Sequence, residues 1–188
     1  MKREDLYLQS RKALLIMDVQ ESGGGRTRQP RGPVTRGDVM IATINRLIDH
    51  CAAKGMEVAY IRQVFGNNFI VRLHGGRILP GTMGPRLDSR LKVINGHDFP
   101  KNRTDAFSNR SLDRFLIEHQ VNELYLVGVD AAYCVYYTAR GALNRGYKVI
   151  VVKDAVLTSR NLDEVLERYE KNGIPVMTSE EIIIRSQL

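Results

Sequence analysis

Lys12-Ala13-Leu14-Leu15-Ile16-Met17-Asp18 is a short apolar run, entered on a lysine and closed by a carboxylate. A strand with one wet face alternates apolar and polar residues. An unbroken run of this length belongs to a parallel sheet covered on both faces. Similar runs recur at Met56 to Arg62 (MEVAYIR), Glu123 to Val129 (ELYLVGV), Tyr147 to Val152 (YKVIVV) and Pro175 to Met177, with a weaker one at Leu91 to Ile94. Helical patterns lie between them. Ile41, Ile44, Leu47, Ile48 and Cys51 fall on one helix face, as do Leu112, Phe115 and Leu116, and further helices are expected over 133–145, 162–172 and 179–185. Gly55, Gly146 and Gly173 each stand where a helix must stop before a strand. This alternation predicts an α/β fold in three αβα layers, Rossmann-like, with right-handed crossovers and a parallel sheet of about six strands, for which we take the order 3-2-1-4-5-6.

Composition agrees with one domain over residues 1–188. Hydrophobic residues make up 43% and charged residues 26%, which excludes a disordered or fibrous chain. No apolar run approaches the roughly 18 residues of a spanning helix, and no signal-peptide core follows Met1-Lys2-Arg3-Glu4-Asp5, so a cytoplasmic protein is expected. Two cysteines, Cys51 and Cys134, are too few for a disulfide framework or a four-thiolate zinc site. The net charge is +7, and residues 22–97 hold twelve basic side chains against four acidic ones. Such a field suits nucleic acid, an acidic partner or a small anionic substrate, or a solvated Arg-rich surface. Ser22 to Pro33 and Phe65 to Pro85 are too rich in Gly, Pro and polar residues for regular elements. Both read as loops, the second long enough for a functional lid.

Ligands of an open α/β sheet bind beyond the carboxyl ends of the strands, where the strand order reverses. Asp18 closes the first strand there. Cys134 follows the fourth, near a helix N-terminus whose amide dipoles favour thiolate, and Lys101 lies in the loop after the third. A thiol amidase needs those three types: a carboxylate to take the thiol proton, a cation beside the sulfur, and backbone donors for an oxyanion. Singly, each has a plainer reading as a loop cap, a solvated lysine and a small core residue.

Taken together, five ordered segments carry more. Ile16-Met17-Asp18-Val19-Gln20, Leu79-Pro80-Gly81-Thr82-Met83-Gly84, Lys101 to Phe107 (KNRTDAF), Gly128 to Ala139 (GVDAAYCVYYTA) and Val152-Lys153-Asp154-Ala155 resemble the isochorismatase-like cysteine hydrolase family, over nearly the whole chain. The resemblance implies Asp18 as general base, Lys101 as the cation and Cys134 as the nucleophile. It also implies a cis peptide between Val129 and Asp130, with the amides of Asp130 and Cys134 facing a shared oxyanion. The implied activity is hydrolysis of a small amide or ureido substrate, possibly anionic in character, through a thioester. The alternatives are vinyl ether hydrolysis, as in true isochorismatases, and a binding or scaffold protein that has lost turnover. A small-molecule substrate, no cofactor, no nucleic-acid or membrane partner, and assembly into a homo-oligomer, a dimer or tetramer, complete the expectation.

The departures are specific. Ala131 and Ala132 stand where the family commonly has Thr and a polar residue, and Glu21-Ser22-Gly23 replaces an aromatic after the Asp-x-Gln motif. Arg62-Gln63-Val64-Phe65 replaces the Asp-x-His of the metal-binding nicotinamidases, which points away from a metal and from nicotinamide. His50, His74, His97 and His119 include no i, i+4 pair, and His97 alone could serve as an alternative base. Cys51 reads as core. Gly23-Gly24-Gly25 has no following helix and so fails as a dinucleotide fingerprint. Substrate contacts are expected from Gln20, Arg62, Phe65 and Tyr133. Arg62, with Arg26 and Arg28 behind it, is placed to grip a substrate carboxylate.

Overall fold

A computed structural model describes residues 11–21, 35–65 and 85–185. The Leu79 to Gly84 segment, Arg26 and Arg28, and nearly all of both expected loops lie outside the described residues. Six strands, β1 (Lys12–Met17), β2 (Glu57–Gln63), β3 (Asp98–Lys101), β4 (Glu123–Val129), β5 (Lys148–Leu157) and β6 (Val176–Met177), form one sheet. Its order is β3-β2-β1-β4-β5-β6, with every neighbouring pair parallel. The helices are α1 (Arg36–Ala53), α2 (Arg110–Glu118), α3 (Tyr136–Leu143), α4 (Leu162–Lys171) and α5 (Ser179–Arg185). None of the described helices is long and apolar enough to cross a membrane.

The sheet divides two cores by simple alternation. Ala13, Leu15 and Met17 of β1 pack in the layer holding α2, α3 and α4, whereas Leu14 and Ile16 meet Ile44, Leu47, Ile48 and Cys51 of α1 and Ile182 of α5. Both sets are fully buried, which is why β1 reads as an unbroken apolar run. α1 opens on a capping box, Thr35 N–H donating to Asp38 Oδ2 at 2.8 Å and Asp38 N–H to Thr35 Oγ1 at 3.3 Å.

Two strands differ from expectation. Leu91 to Ile94 is not a strand, because side chains take its backbone groups. Asn45 accepts from Lys92 N–H and donates to the Arg90 carbonyl, while the Tyr60 hydroxyl donates to the Lys92 carbonyl and accepts from Ile94 N–H. The third strand is Asp98–Lys101, paired to β2 from Tyr60↔Asp98 to Gln63↔Lys101. Its Pro100 is tolerated because β3 is an edge strand. Strand β5 also runs five residues beyond Val152, through a register shift against β4 between Leu126 and Gly128. Gly128 pairs with Met17 at φ +108°, and a Cβ there would stand 2.1 Å from the Met17 carbonyl oxygen. Only glycine allows β1 and β4 to run together to the end that carries the site.

Candidate active site

Asp18 is the first residue past β1, with φ +52° and its N–H donating to the Ile61 carbonyl at 2.9 Å. Lys101 is the last residue of β3 itself, not of a loop beyond it. From that edge its side chain, fully buried, crosses the end of β2 toward the middle of the sheet. Its Nζ lies 2.9 Å from Asp18 Oδ2 and 3.3 Å from Cys134 Sγ, and donates to Gln63 Oε1 at 2.5 Å. A carboxylate, an ammonium and a thiol from three chain segments thus share one point.

Cys134 sits on a turn of π-helix, Ala131–Val135, between β4 and α3. The turn is held from several sides. Asp130 caps it, Oδ1 accepting from Ala132 N–H at 2.9 Å, and the Asp130 carbonyl accepts from Val135 N–H at 3.1 Å. From α4, the Tyr169 hydroxyl donates to the Ala131 carbonyl at 2.6 Å and Arg168 to the Ala132 carbonyl at 3.3 Å. These bonds fix the turn with alanine at positions 131 and 132. The Val129–Asp130 peptide is cis.

Electrostatics at the site differ from the dipole expectation. Burial, reinforced by the adjacent Asp18 charge, pushes the Cys134 thiol up to about 12 despite the opposing ammonium of Lys101. Burial also raises Asp18 above its ordinary 3.8, against the attraction of Lys101. The resting sulfur is therefore a thiol, and a carboxylate with raised proton affinity stands ready beside it. Moving that proton from sulfur to carboxyl shifts one negative charge between two groups that the same ammonium touches. The buried charge count is unchanged, which keeps the transfer inexpensive.

Gln63 escaped the sequence reading, and its signal was its neighbour. Along a strand side chains alternate, so Ile61 and Gln63 face the layer of Lys101 while Arg62 faces the other. Arg62 was expected to grip substrate, yet it forms an ion pair with Asp98, Nε to Oδ1 at 2.7 Å, and donates to the Pro85 carbonyl at 2.9 Å. Gln20 is likewise engaged, its amide clamping the Gln63 backbone: Oε1 accepts from Gln63 N–H at 2.7 Å and Nε2 donates to the Gln63 carbonyl at 3.1 Å. Its part is to fix the end of β2, where Gln63 holds Lys101. Phe65 lines a cleft that Lys101 also borders. Tyr133 stands exposed before Cys134, its hydroxyl accepting from Arg160 Nη2 at 2.9 Å.

The remaining candidates separate cleanly. His97 precedes β3 at the amino end of the sheet, ~13 Å down the strand from Lys101 at ~3.3 Å per residue, and packs at a tilt against the Phe115 ring. Cys51 is fully buried, and burial holds its thiol at about 12. Among the described residues no three His, Cys, Asp or Glu side chains stand together in a metal-holding group. The KNRTDAF segment braces α3. Ala106 N–H donates to the buried Thr138 hydroxyl at 2.9 Å, and the Asp105 carboxylate lies where a Cβ on Gly141 would meet it at 2.5 Å. Asp154 accepts from Ser179 N–H at 2.7 Å and Oγ at 2.6 Å, at the start of α5.

Comparison with known proteins places the chain in a family. The chain is 28% identical over 178 residues to a nicotinamidase of Escherichia coli, covering 76% of this chain and 81% of that protein. Its fold superposes on an isochorismatase-like hydrolase of Alkaliphilus metalliredigens with a TM-score of 0.80 at 21% identity, covering 94% and 98% of the two chains. An N-carbamoylsarcosine amidase of Thermoplasma acidophilum gives 0.77 at 23% identity, covering 90% and 96%. The Isochorismatase domain model matches residues 12–181, from the first residue of β1 into α5. The chain is a hydrolase of the isochorismatase family.

Proposed function

We propose that the chain is a cysteine hydrolase that cleaves the C–N bond of a small amide or ureido substrate through a thioester. The observation that carries this reading is the Lys101 ammonium, 2.9 Å from the Asp18 carboxylate and 3.3 Å from the Cys134 sulfur in one buried cluster. Asp18 takes the Cys134 proton as the sulfur attacks the carbonyl carbon, and the amides of Asp130 and Cys134 receive the oxyanion. The C–N bond then breaks as Asp18 gives the proton to the departing nitrogen. Water attacks the thioester, loses a proton to Asp18 and releases the acid, and the proton returns to Sγ. Lys101 does not move a proton in this scheme. It keeps the negative charge compensated wherever that charge rests.

Two relatives whose names describe amide hydrolysis, a nicotinamidase and an N-carbamoylsarcosine amidase, support the C–N reading. The experiment is ammonia release from a panel of primary amides and ureido acids, with Cys134→Ala as control. Turnover lost in the variant, with an acyl adduct on Cys134 seen by mass spectrometry of the quenched wild type, is the expected result. Undiminished turnover by Cys134→Ala overturns nucleophilic catalysis by this thiol, and no turnover of any amide overturns the amidase reading.

A further inference from the structure

An open cleft of ≈ 500 Å³ lies at the carboxyl ends of β2 and β3, between Phe65, Lys101 and the start of α2. Asn109 caps α2 and ties it to β3, Nδ2 donating to the Pro100 carbonyl at 2.8 Å. The next residue, Arg110, is thereby held on the cleft wall. Among the described residues the lining contains two cations, Lys101 and Arg110, and no carboxylate. Lys101 turns its ammonium inward to Asp18 and Cys134. Arg110 is exposed and makes no ion pair or hydrogen bond among the described residues.

Other arginines share that freedom among the described residues, Arg86 and Arg103 included, but only Arg110 lines the cleft. Arg62 is taken by Asp98, Arg90 by Asp88 and Asp38, and Arg160 by the Tyr133 hydroxyl. An unpaired guanidinium facing a cleft without carboxylates is a receptor for an anion, and its fork matches a carboxylate. Asn102 and Ser111 add polar groups to the wall, and Phe65 adds an apolar one. Lys101 is the link between cleft and reacting sulfur: the residue borders the cleft, and its buried side chain ends 3.3 Å from Cys134 Sγ.

We propose that this cleft binds the anionic end of an amide or ureido acid and that Arg110 selects for it, an inference that rests on the amidase reading above. The substrate class is a short molecule with a carboxylate at one end and the scissile C–N bond at the other. Two measurements test it. The first compares kcat/KM for succinamate and glutaramate with butanamide and pentanamide, their neutral counterparts. Arg110→Gln should lower the anionic-to-neutral ratio at least tenfold, chiefly through KM, and Arg110→Lys should restore part of it. The second is calorimetric titration of glutarate into Cys134→Ala, which needs no turnover. Kd should rise tenfold or more when Arg110→Gln is added, and binding should weaken between 0.05 and 0.5 M salt. Equal glutarate affinity with and without Arg110, or no binding at all, overturns the subsite. Intact, Arg110-dependent binding without ammonia release from any amide overturns the amidase reading instead and leaves the subsite standing.

Discussion

Lys101→Met removes the one cation of the buried cluster while keeping the length and much of the volume of the side chain. Asp18 then faces burial without its ion-pair partner at 2.9 Å. Breaking a buried pair from one side costs about 3–5 kcal/mol. The carboxyl has an escape, which is to keep its proton. Holding a group of ordinary pKa 3.8 protonated at pH 7 costs about 4 kcal/mol at 1.36 kcal/mol per unit, and this bounds the loss from above. A destabilisation of about 3–4 kcal/mol is therefore expected at pH 7. The sign with pH follows from linkage. A carboxyl whose folded pKa is raised binds more proton folded than unfolded, so stability falls as pH rises from 3.8 to the folded value. Removing Lys101 pushes that folded value higher and extends the window of loss. At pH 5 the bound on the deficit shrinks below about 2 kcal/mol, because protonation is then cheap in both states. Urea unfolding at pH 5 and 7 measures this, followed by circular dichroism and tyrosine emission, since the chain has eight tyrosines and no tryptophan. Adding Asp18→Asn to the variant should recover most of the loss at pH 7. A deficit under 1 kcal/mol at pH 7, or one identical at both pH values, refutes the buried-charge account.

The same raised Asp18 places the acid limb of kcat/KM above the ordinary carboxylate value of 3.8, with activity rising as the base ionises, and the thiol near 12 adds no second rise below pH 10; a pH–rate profile reads both. Iodoacetamide at pH 7 should modify half-buried Cys134 and leave Cys51 untouched, with labelling of Cys134 slowed at least tenfold by Asp18→Asn; peptide mass spectrometry measures it. Gly128→Ala puts a Cβ 2.1 Å from the Met17 carbonyl oxygen at φ +108° and should cost about 3 kcal/mol or more, whereas Gly141→Ala meets only the movable Asp105 carboxylate and should cost about 1 kcal/mol; thermal unfolding separates the two. Gln63→Leu removes the acceptor for Lys101 Nζ and should lower kcat at least tenfold, whereas Gln63→Glu should move the acid limb of the pH profile.

Strands buried on both faces announce themselves as unbroken apolar runs, and β1, β2, β4 and β5 were legible for that reason, while β6, a two-residue edge strand, was read from the short Pro175 to Met177 stretch after Gly173. β3 was not. Asp98-Phe99-Pro100-Lys101 is an edge strand with one buried apolar residue and a proline, so neither alternation nor an apolar run marks it. The stretch that looked better, Leu91 to Ile94, loses its strand character to Asn45 and Tyr60, which sit 31 or more residues upstream. No local pattern encodes that competition.

The site divides along a similar line. Asp18, Lys101 and Cys134 were legible because five ordered segments together carry a family resemblance; by type alone each had a plainer reading, and the strand order is what brings them to one edge. The substrate-facing residues required the face as well as the end. Arg62 and Gln63 are neighbours in sequence, yet only Gln63 shares a layer with Lys101, and the count of two that separates them was available in the alternation of β2. Charge drew attention to Arg62, but a charged side chain on the wrong face finds its own partner, here Asp98 across the edge strand. Arg110 carried no such signal. It looks like one more basic residue at a helix start, and it becomes informative only once Asn109 fixes it beside Lys101 on the cleft wall and Arg62 proves to be taken by Asp98.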